Sequence, residues 1–295
     1  MPIGDICAIS SALMWSISVI LMRVSGFTIP PLPLNFFKSC VALICLTLTH
    51  LALQESWWPE LSGGAHLRIL ISALIGISLA DTMIAAALNR LGASLQALAD
   101  CLYSPVIITV GFLMFGETLN TWELLGGSLV ISGVFVGAAM TAEVKHPRDL
   151  WTGIALAAGA HILMAVGILM VRDIYLEESL TWVTGYRFLM GIAVLLIWGL
   201  VRHGKSMPEV LFVGFRRKDT WFTTIPMAFF GPFLATLLWV SGFKHLVAGR
   251  AAIYNQLSTV FIIILAYFFL KEKFTTRKAI GTTLALLGSL LVALH

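Results

Sequence analysis

The sequence predicts an all-α integral membrane protein of ten transmembrane helices, arranged as two inverted five-helix repeats. Three observations carry that expectation. The 295 residues are 59% hydrophobic and 12% charged, with a mean hydropathy of +0.93, whereas a soluble domain is roughly half apolar and a quarter charged. The apolar residues fall in continuous stretches of about 20, enough to cross the hydrocarbon as a helix and about twice what a barrel strand needs. The second half of the chain also repeats the pattern of the first. Ten spans with short connections leave no room for a soluble domain.

The first stretch, 4–24, begins at Ile3 with neither a basic leader nor a clear cleavage site, so it reads as a retained helix rather than a signal peptide. The second is 33–53. The third, 68–89, and fourth, 94–115, are separated only by Asn89-Arg90-Leu91-Gly92, which makes them antiparallel neighbours. Pro105 falls inside the fourth and should break its hydrogen-bond ladder. The fifth, 121–141, closes a first repeat assigned to 3–141, and the second repeat, 150–294, opens with stretches at 151–171 and 180–201. From Arg202 to Thr220 runs the one long connection, read as a solvated basic loop around Arg216-Arg217-Lys218. The eighth stretch, 222–243, contains Pro226 and Gly231-Pro232, where a kink can serve as a hinge and freed carbonyls as ligands. The ninth and tenth are 249–270 and 277–294.

An offset of 155 superposes Leu91 on Leu246, Ala93 on Ala248, Glu117 on Glu272, Thr121 on Thr276, Gly126 on Gly281 and Gly133 on Gly288. Earlier in each half an offset of 149 places Arg23 on Arg172 and Lys38 on Arg187. Because each repeat holds five spans, an odd number, the second must enter from the opposite face, which gives an inverted pair. Small residues at Gly126, Gly133, Gly137, Gly281 and Gly288 mark a close-packed helix face, either within the chain or in a homodimer.

Gly116-Glu117-Thr118-Leu119 and Lys271-Glu272-Lys273-Phe274, each followed by the paired glycines, carry a family resemblance. With them the chain resembles the drug/metabolite transporter superfamily, and within it the ten-helix proteins with two EamA-type repeats. The resemblance implies a secondary carrier, in many members an exporter of amino acids and other small metabolites, with both termini cytoplasmic. The charges point the other way. Thirteen of nineteen Lys and Arg lie at odd-numbered connections and four at even ones, so the positive-inside rule places the termini outside. The two orientations stand open at this point. The bias also accounts for a pI near 9.0 without nucleic-acid binding.

An ionisable group inside a span needs a partner, water or a function, because it costs about 2.5 to 3.5 kcal/mol at the bilayer centre. Asp81 and Asp100 lie at matching distances on either side of the hairpin at Arg90, hence at one depth, and Lys38 reaches a similar level. The three are expected to form one cluster of net charge minus one, for proton coupling or for recognising a charged substrate. A purely structural Asp–Lys pair is the competing reading. Their counterparts Thr236 and Asn255 are polar and neutral. Trp15, Tyr103, His161, Thr236, Tyr254, Asn255 and Gln256 are the candidate cavity lining, with His161 either a packing residue or a proton relay. Arg187 is expected to snorkel to, or pair near, the even-loop face.

Gly199-Leu200-Val201-Arg202-His203-Gly204-Lys205-Ser206 matches a P-loop letter for letter. It follows a transmembrane helix instead of a strand, so ATP binding is declined. Cys7, Cys40, Cys45 and Cys101 lie in apolar runs without metal spacing. No catalytic residue, metal or cofactor is expected. The reading is a bacterial cytoplasmic-membrane secondary transporter that exports small polar or amphipathic metabolites by alternating access, with protons as candidate coupling ion. An importer or exchanger, and a scaffold subunit that moves nothing, are the alternatives.

Overall fold

A computed structural model describes residues 3–57, 59, 61–116, 120–138, 146–239, 248–273 and 275–294, with the side chains of 248–256 left aside. Helix is the regular structure of these residues. The first half comprises α1 (Ile3–Ser25), α2 (Pro31–Ala52), α3 (Gly63–Ser72), α4 (Asp81–Leu91), α5 (Ala93–Asp100), α6 (Tyr103–Phe115) and α7 (Thr121–Ala138). The second comprises α8 (Pro147–Leu169), α9 (Arg172–Glu177), α10 (Leu180–His203), α11 (Met207–Leu211), α12 (Val213–Arg216), α13 (Trp221–Ala228), α14 (Ala248–Phe269) and α15 (Thr276–Leu294). Among the described residues seven helices are long and apolar enough to cross a membrane, and Thr121–Gly137 and Leu257–Phe269 are shorter apolar helices.

Local sequence explains where these helices start. Pro31 occupies the first turn of α2, where its missing N–H would have no partner. Ser62 caps α3 by accepting from Ala65 N at 3.2 Å, and Ser179 caps α10 from Trp182 N at 3.3 Å. At α7, Asn120 and Glu123 form a reciprocal box of 2.7 and 2.8 Å.

The core is largely apolar, but unlike that of a soluble protein the exterior is apolar too, and many small polar side chains lie inside. Ser16, Ser18, Ser39, Ser72 and Ser78 are fully buried, while Leu113, Phe135, Val201 and Phe222 face outward. With lipid outside, apolar side chains lose nothing by exposure, and polar ones must find partners between helices. Thus Ser18 Oγ donates to Met227 O at 2.7 Å, and Ser72 Oγ donates to Gly167 O at 2.5 Å.

Two helix breaks differ from their sequence expectation. The fourth stretch breaks at Cys101 and Leu102, ahead of Pro105, which sits harmlessly in the first turn of α6. The third stretch breaks without any proline: Ala73–Ala80 is π-helical and joins α3 to α4. The eighth stretch breaks as expected, with Pro226 inside α13 and Pro232 inside a second π-helical stretch, Phe229–Ala235.

The connection from Arg202 to Thr220 is another correction. It folds into α11 and α12 flanked by 3-10 turns, and it packs on α2 instead of lying free in solvent. Phe212 and Phe215 meet the Phe36 ring edge-on at 5.1 and 6.0 Å, and Leu211 is fully buried. Arg216 stays exposed, so the loop's charge faces out while its apolar side docks.

The hairpin between α4 and α5 is held from both sides. Arg23 Nη1 donates to Leu88 O and Asn89 O at 3.2 and 2.8 Å, matching a cation to the end of α4. The Glu272 carboxylate accepts from Ala93 N, Ser94 N and Ser94 Oγ at 2.7, 2.8 and 2.6 Å, matching an anion to the start of α5. Gly92 turns between them with φ +79°, and a side chain there would collide with Glu272.

Helices α7 and α15 share the closest crossing. A Cβ on Gly133 would lie 2.6 Å from Gly281 O and 2.7 Å from Ala285 N, and one on Gly288 would lie 2.5 Å from Gly126 O. Position 133 meets 281 and 126 meets 288, so the two helices run antiparallel. The glycine face therefore packs within the chain.

Candidate functional site

A Lys–Asp ion pair and an Asp–His contact lie inside the helical body, in place of the single cluster that depth alone suggests. Lys38 Nζ is 2.7 Å from Asp81 Oδ2, with side chains only 6% and 16% exposed. Lys38 is carried by α2, and Asp81 is the first residue of α4, directly after the π-helical stretch. The same stretch is stitched to α2 by Asn35, whose Nδ2 donates to Ile77 O at 2.8 Å and to Thr82 Oγ1 at 2.9 Å. A π turn frees carbonyls from the usual ladder, and Asn35 supplies a donor for them.

The second pair joins the two repeats. Asp100 ends α5, and its Oδ1 accepts from Gln96 Nε2 at 2.7 Å and lies 3.0 Å from His161 Nε2 on α8. The Tyr103 ring stands 5.7 Å from the imidazole. His161 Nδ1 and Gln96 Oε1 are buried with no hydrogen-bond partner among the described residues. No described ion pair connects Asp100 to Lys38. Buried polar atoms without partners are rare and call for an explanation such as a solute, a water or a moving proton.

The remaining candidates scatter. Trp15 on α1 abuts Gly231 in the second π-helical stretch. Thr236 is half-buried and directly follows that stretch, as Asp81 follows the first. Tyr254, Asn255 and Gln256 lie on the α14 backbone, with side chains outside the described residues. Pro105, Pro226 and Pro232 stand at the breaks already described. Sequence reasoning passed over Asn35 and Gln96. Gln96 lies four residues before Asp100, the charge to which it donates, and that one-turn spacing was the available signal, whereas Asn35 serves the carbonyls of another helix and left none.

Toward the membrane face where α10 begins, Arg187 Nη1 donates to the Tyr175 hydroxyl at 3.0 Å, with the guanidinium 5.9 Å from that ring. Here too, Arg68 pairs with Asp173 at 2.8 Å, and this hydrogen bond and charge hold the Asp173 carboxyl below its usual range. Glu55 accepts from Ser179 Oγ and from Thr181 Oγ1, and His50 Nδ1 stands 3.2 Å away. Desolvation pushes the Glu55 carboxyl up, but the hydroxyl hydrogen bonds and His50 outweigh it, so its pKa is lowered.

An apolar exterior around the Lys–Asp ion pair and the Asp–His contact, in helices long enough to span a bilayer, defines an integral multi-pass membrane protein. Its two halves account for the match that places it: the chain belongs to the EamA-like transporter family, whose model matches residues 2–138 and 151–294. It is thus a membrane transporter of the drug/metabolite type. A protein of Gloeobacter violaceus named undecaprenyl-diphosphatase is 30% identical over 178 residues, 54% of this chain. The aligned part spans 58% of that relative's length. A crystal structure described only as that of a protein superposes with a TM-score of 0.69, covering 99% of this chain and 96% of its own, at 16% identity. At that identity the likeness shows the fold alone.

Proposed function

We propose that the protein is a ten-helix secondary transporter of two inverted five-helix repeats in a bacterial cytoplasmic membrane. It exports small polar or amphipathic metabolites, with amino acids and related compounds the leading class, by alternating access coupled to protons. The observation that carries this reading is the Asp100–His161 pair, which bridges the two repeats at a helix break and leaves His161 Nδ1 without a partner among the described residues. A neutral imidazole that donates through Nε2 presents a bare Nδ1, and a proton taken there turns the contact into an ion pair. Rocking of one repeat against the other would separate α5 from α8 and so expose that choice to each side in turn. The antiparallel meeting of equivalent helices α7 and α15 supports inversion, because equivalent helices related by an axis in the membrane plane must cross in opposite directions.

The alignment with the Gloeobacter relative covers 54% of this chain, whereas the family match takes in both repeats, so a transporter is favoured over a diphosphatase.

The test compares solutes in the medium of cells that express the parent or Asp100→Asn at equal membrane abundance. Release by the parent should fall about tenfold or more in the variant, because a hydrogen bond to a charged group is worth about 1.5–3 kcal/mol and about 1.4 kcal/mol is tenfold. Equal release by both would remove Asp100 from the cycle. Release by neither would count against export.

A further inference from the structure

Arg187 lies seven residues into α10 and Lys38 seven residues into α2, and the offset of 149 makes them counterparts. Each is therefore about 10 Å from the start of its helix. Their charges are handled differently. Lys38 meets Asp81 at 2.7 Å, but the counterpart of Asp81 is Thr236, which carries no charge. Among the described residues no carboxylate lies within ion-pair distance of Arg187. Acids of the same face are engaged elsewhere: Asp173 with Arg68 at 2.8 Å, and Glu55 with His50, Ser179 and Thr181. What Arg187 has is a neutral hydroxyl, Tyr175, itself 3.1 Å from Thr184 Oγ1.

That hydroxyl occupies one side of the guanidinium only. Tyr175 takes Nη1. Among the described residues Nε is buried without a partner and no acceptor meets Nη2. These two nitrogens form the edge whose N–H bonds run parallel at the spacing of two carboxylate oxygens, the geometry in which arginine binds a carboxylate with two hydrogen bonds. Nη2 lies where a Cβ on Gly76 would be 3.2 Å away, so it is the absence of a side chain in the first π-helical stretch that leaves room for this end of the guanidinium. A guanidinium held inside a membrane body with most of its five N–H donors unspent among the described residues is costly unless an anion arrives to use them.

We infer that Arg187 binds the carboxylate of the transported solute through the Nε–Nη2 edge of its guanidinium. The inference rests on the transporter reading above and assigns a substrate class to it: organic acids and amino acids, as against amines and amides of the same size.

Purified full-length protein in phosphatidylethanolamine and phosphatidylglycerol vesicles tests this. Vesicles are loaded with L-leucine or L-phenylalanine, with the corresponding amides, or with the corresponding decarboxylated amines, and efflux is followed for the parent, Arg187→Lys and Arg187→Gln. The parent should release the acids at least tenfold faster than the amides or amines. Arg187→Gln should lose that advantage, and Arg187→Lys, which keeps the charge but not the fork, should fall between. Acid efflux from Arg187→Gln at the parent rate, or amide efflux from the parent as fast as acid, would overturn the proposal. Thermal unfolding of each variant guards against misfolding. If Arg187→Gln does not fold, parental acid efflux by folded Arg187→Lys overturns the fork. A parent that moves amines or amides but not acids sinks the carboxylate assignment alone. A parent that moves none of the probes sinks both this assignment and the transporter reading.

Discussion

At Lys38 and Asp81 a charge pair sits where water hardly reaches, with side chains 6% and 16% exposed. Removing one member leaves an uncompensated buried charge, which typically costs about 3–5 kcal/mol, whereas removing both is close to neutral. Lys38→Met and Asp81→Asn should therefore each lower thermal stability sharply in detergent, and the double variant should recover most of the loss. Equal melting of all four proteins would exclude the pair as a stability element. The charged residues themselves were legible, since an ionisable group stands out in an apolar run. Their partners were not. Depth follows from counting residues along a helix, but facing depends on every turn in between. The extra residue of a π turn before Asp81 and the break after Asp100 reset facing without leaving a mark in hydropathy.

Elements end and join by chemistry that the sequence shows unevenly. Prolines announced the break in the eighth stretch but misplaced the one in the fourth. The proline-free π-helical stretch Ala73–Ala80 was silent, because the side chain that meets its carbonyls, Asn35, lies on another helix. Helices as short as α11 and α12 hold too few turns to display a period, so the 202–220 connection read as loop. The α2–α10 junction yields a prediction of its own. Glu55 has its pKa lowered in the folded protein, by hydroxyl hydrogen bonds and His50 acting against desolvation. A depressed carboxylate contributes stability above its unfolded pKa and loses it as pH falls through the folded one. Melting temperature of the parent should therefore drop on acidification below about pH 4 more steeply than that of Glu55→Gln, which should start lower at neutral pH. Parallel pH profiles would show that the junction does not depend on this charge.

The molecule as a whole is held across its two halves by the glycine crossing of α7 and α15. Gly133→Ala puts a methyl group against backbone of the partner helix, 2.6 Å from Gly281 O, and backbone cannot swing aside as a side chain can. The expected loss is about 1–3 kcal/mol, read as a lower midpoint of thermal unfolding, while Gly63→Ala, with nothing within 4 Å, should lose far less. A Gly133→Ala protein as stable as the parent would mean that the crossing is looser than described. Those glycines were legible as a packing face because the repeat itself exposed them, but whether they served one chain or two required their neighbours. The two π-helical stretches carry a comparable record. They end at Ala80 and Ala235 and contain Gly76 and Gly231, all related by the same offset of 155 as the glycine crossing. The irregular turn thus belongs to what the halves have in common, and the charges placed after it, Asp81 against Thr236, belong to what sets them apart. The scaffold is alike in its irregular turns and unlike in its electrostatics, so what tells the two halves apart is written in side chains laid over a shared bend.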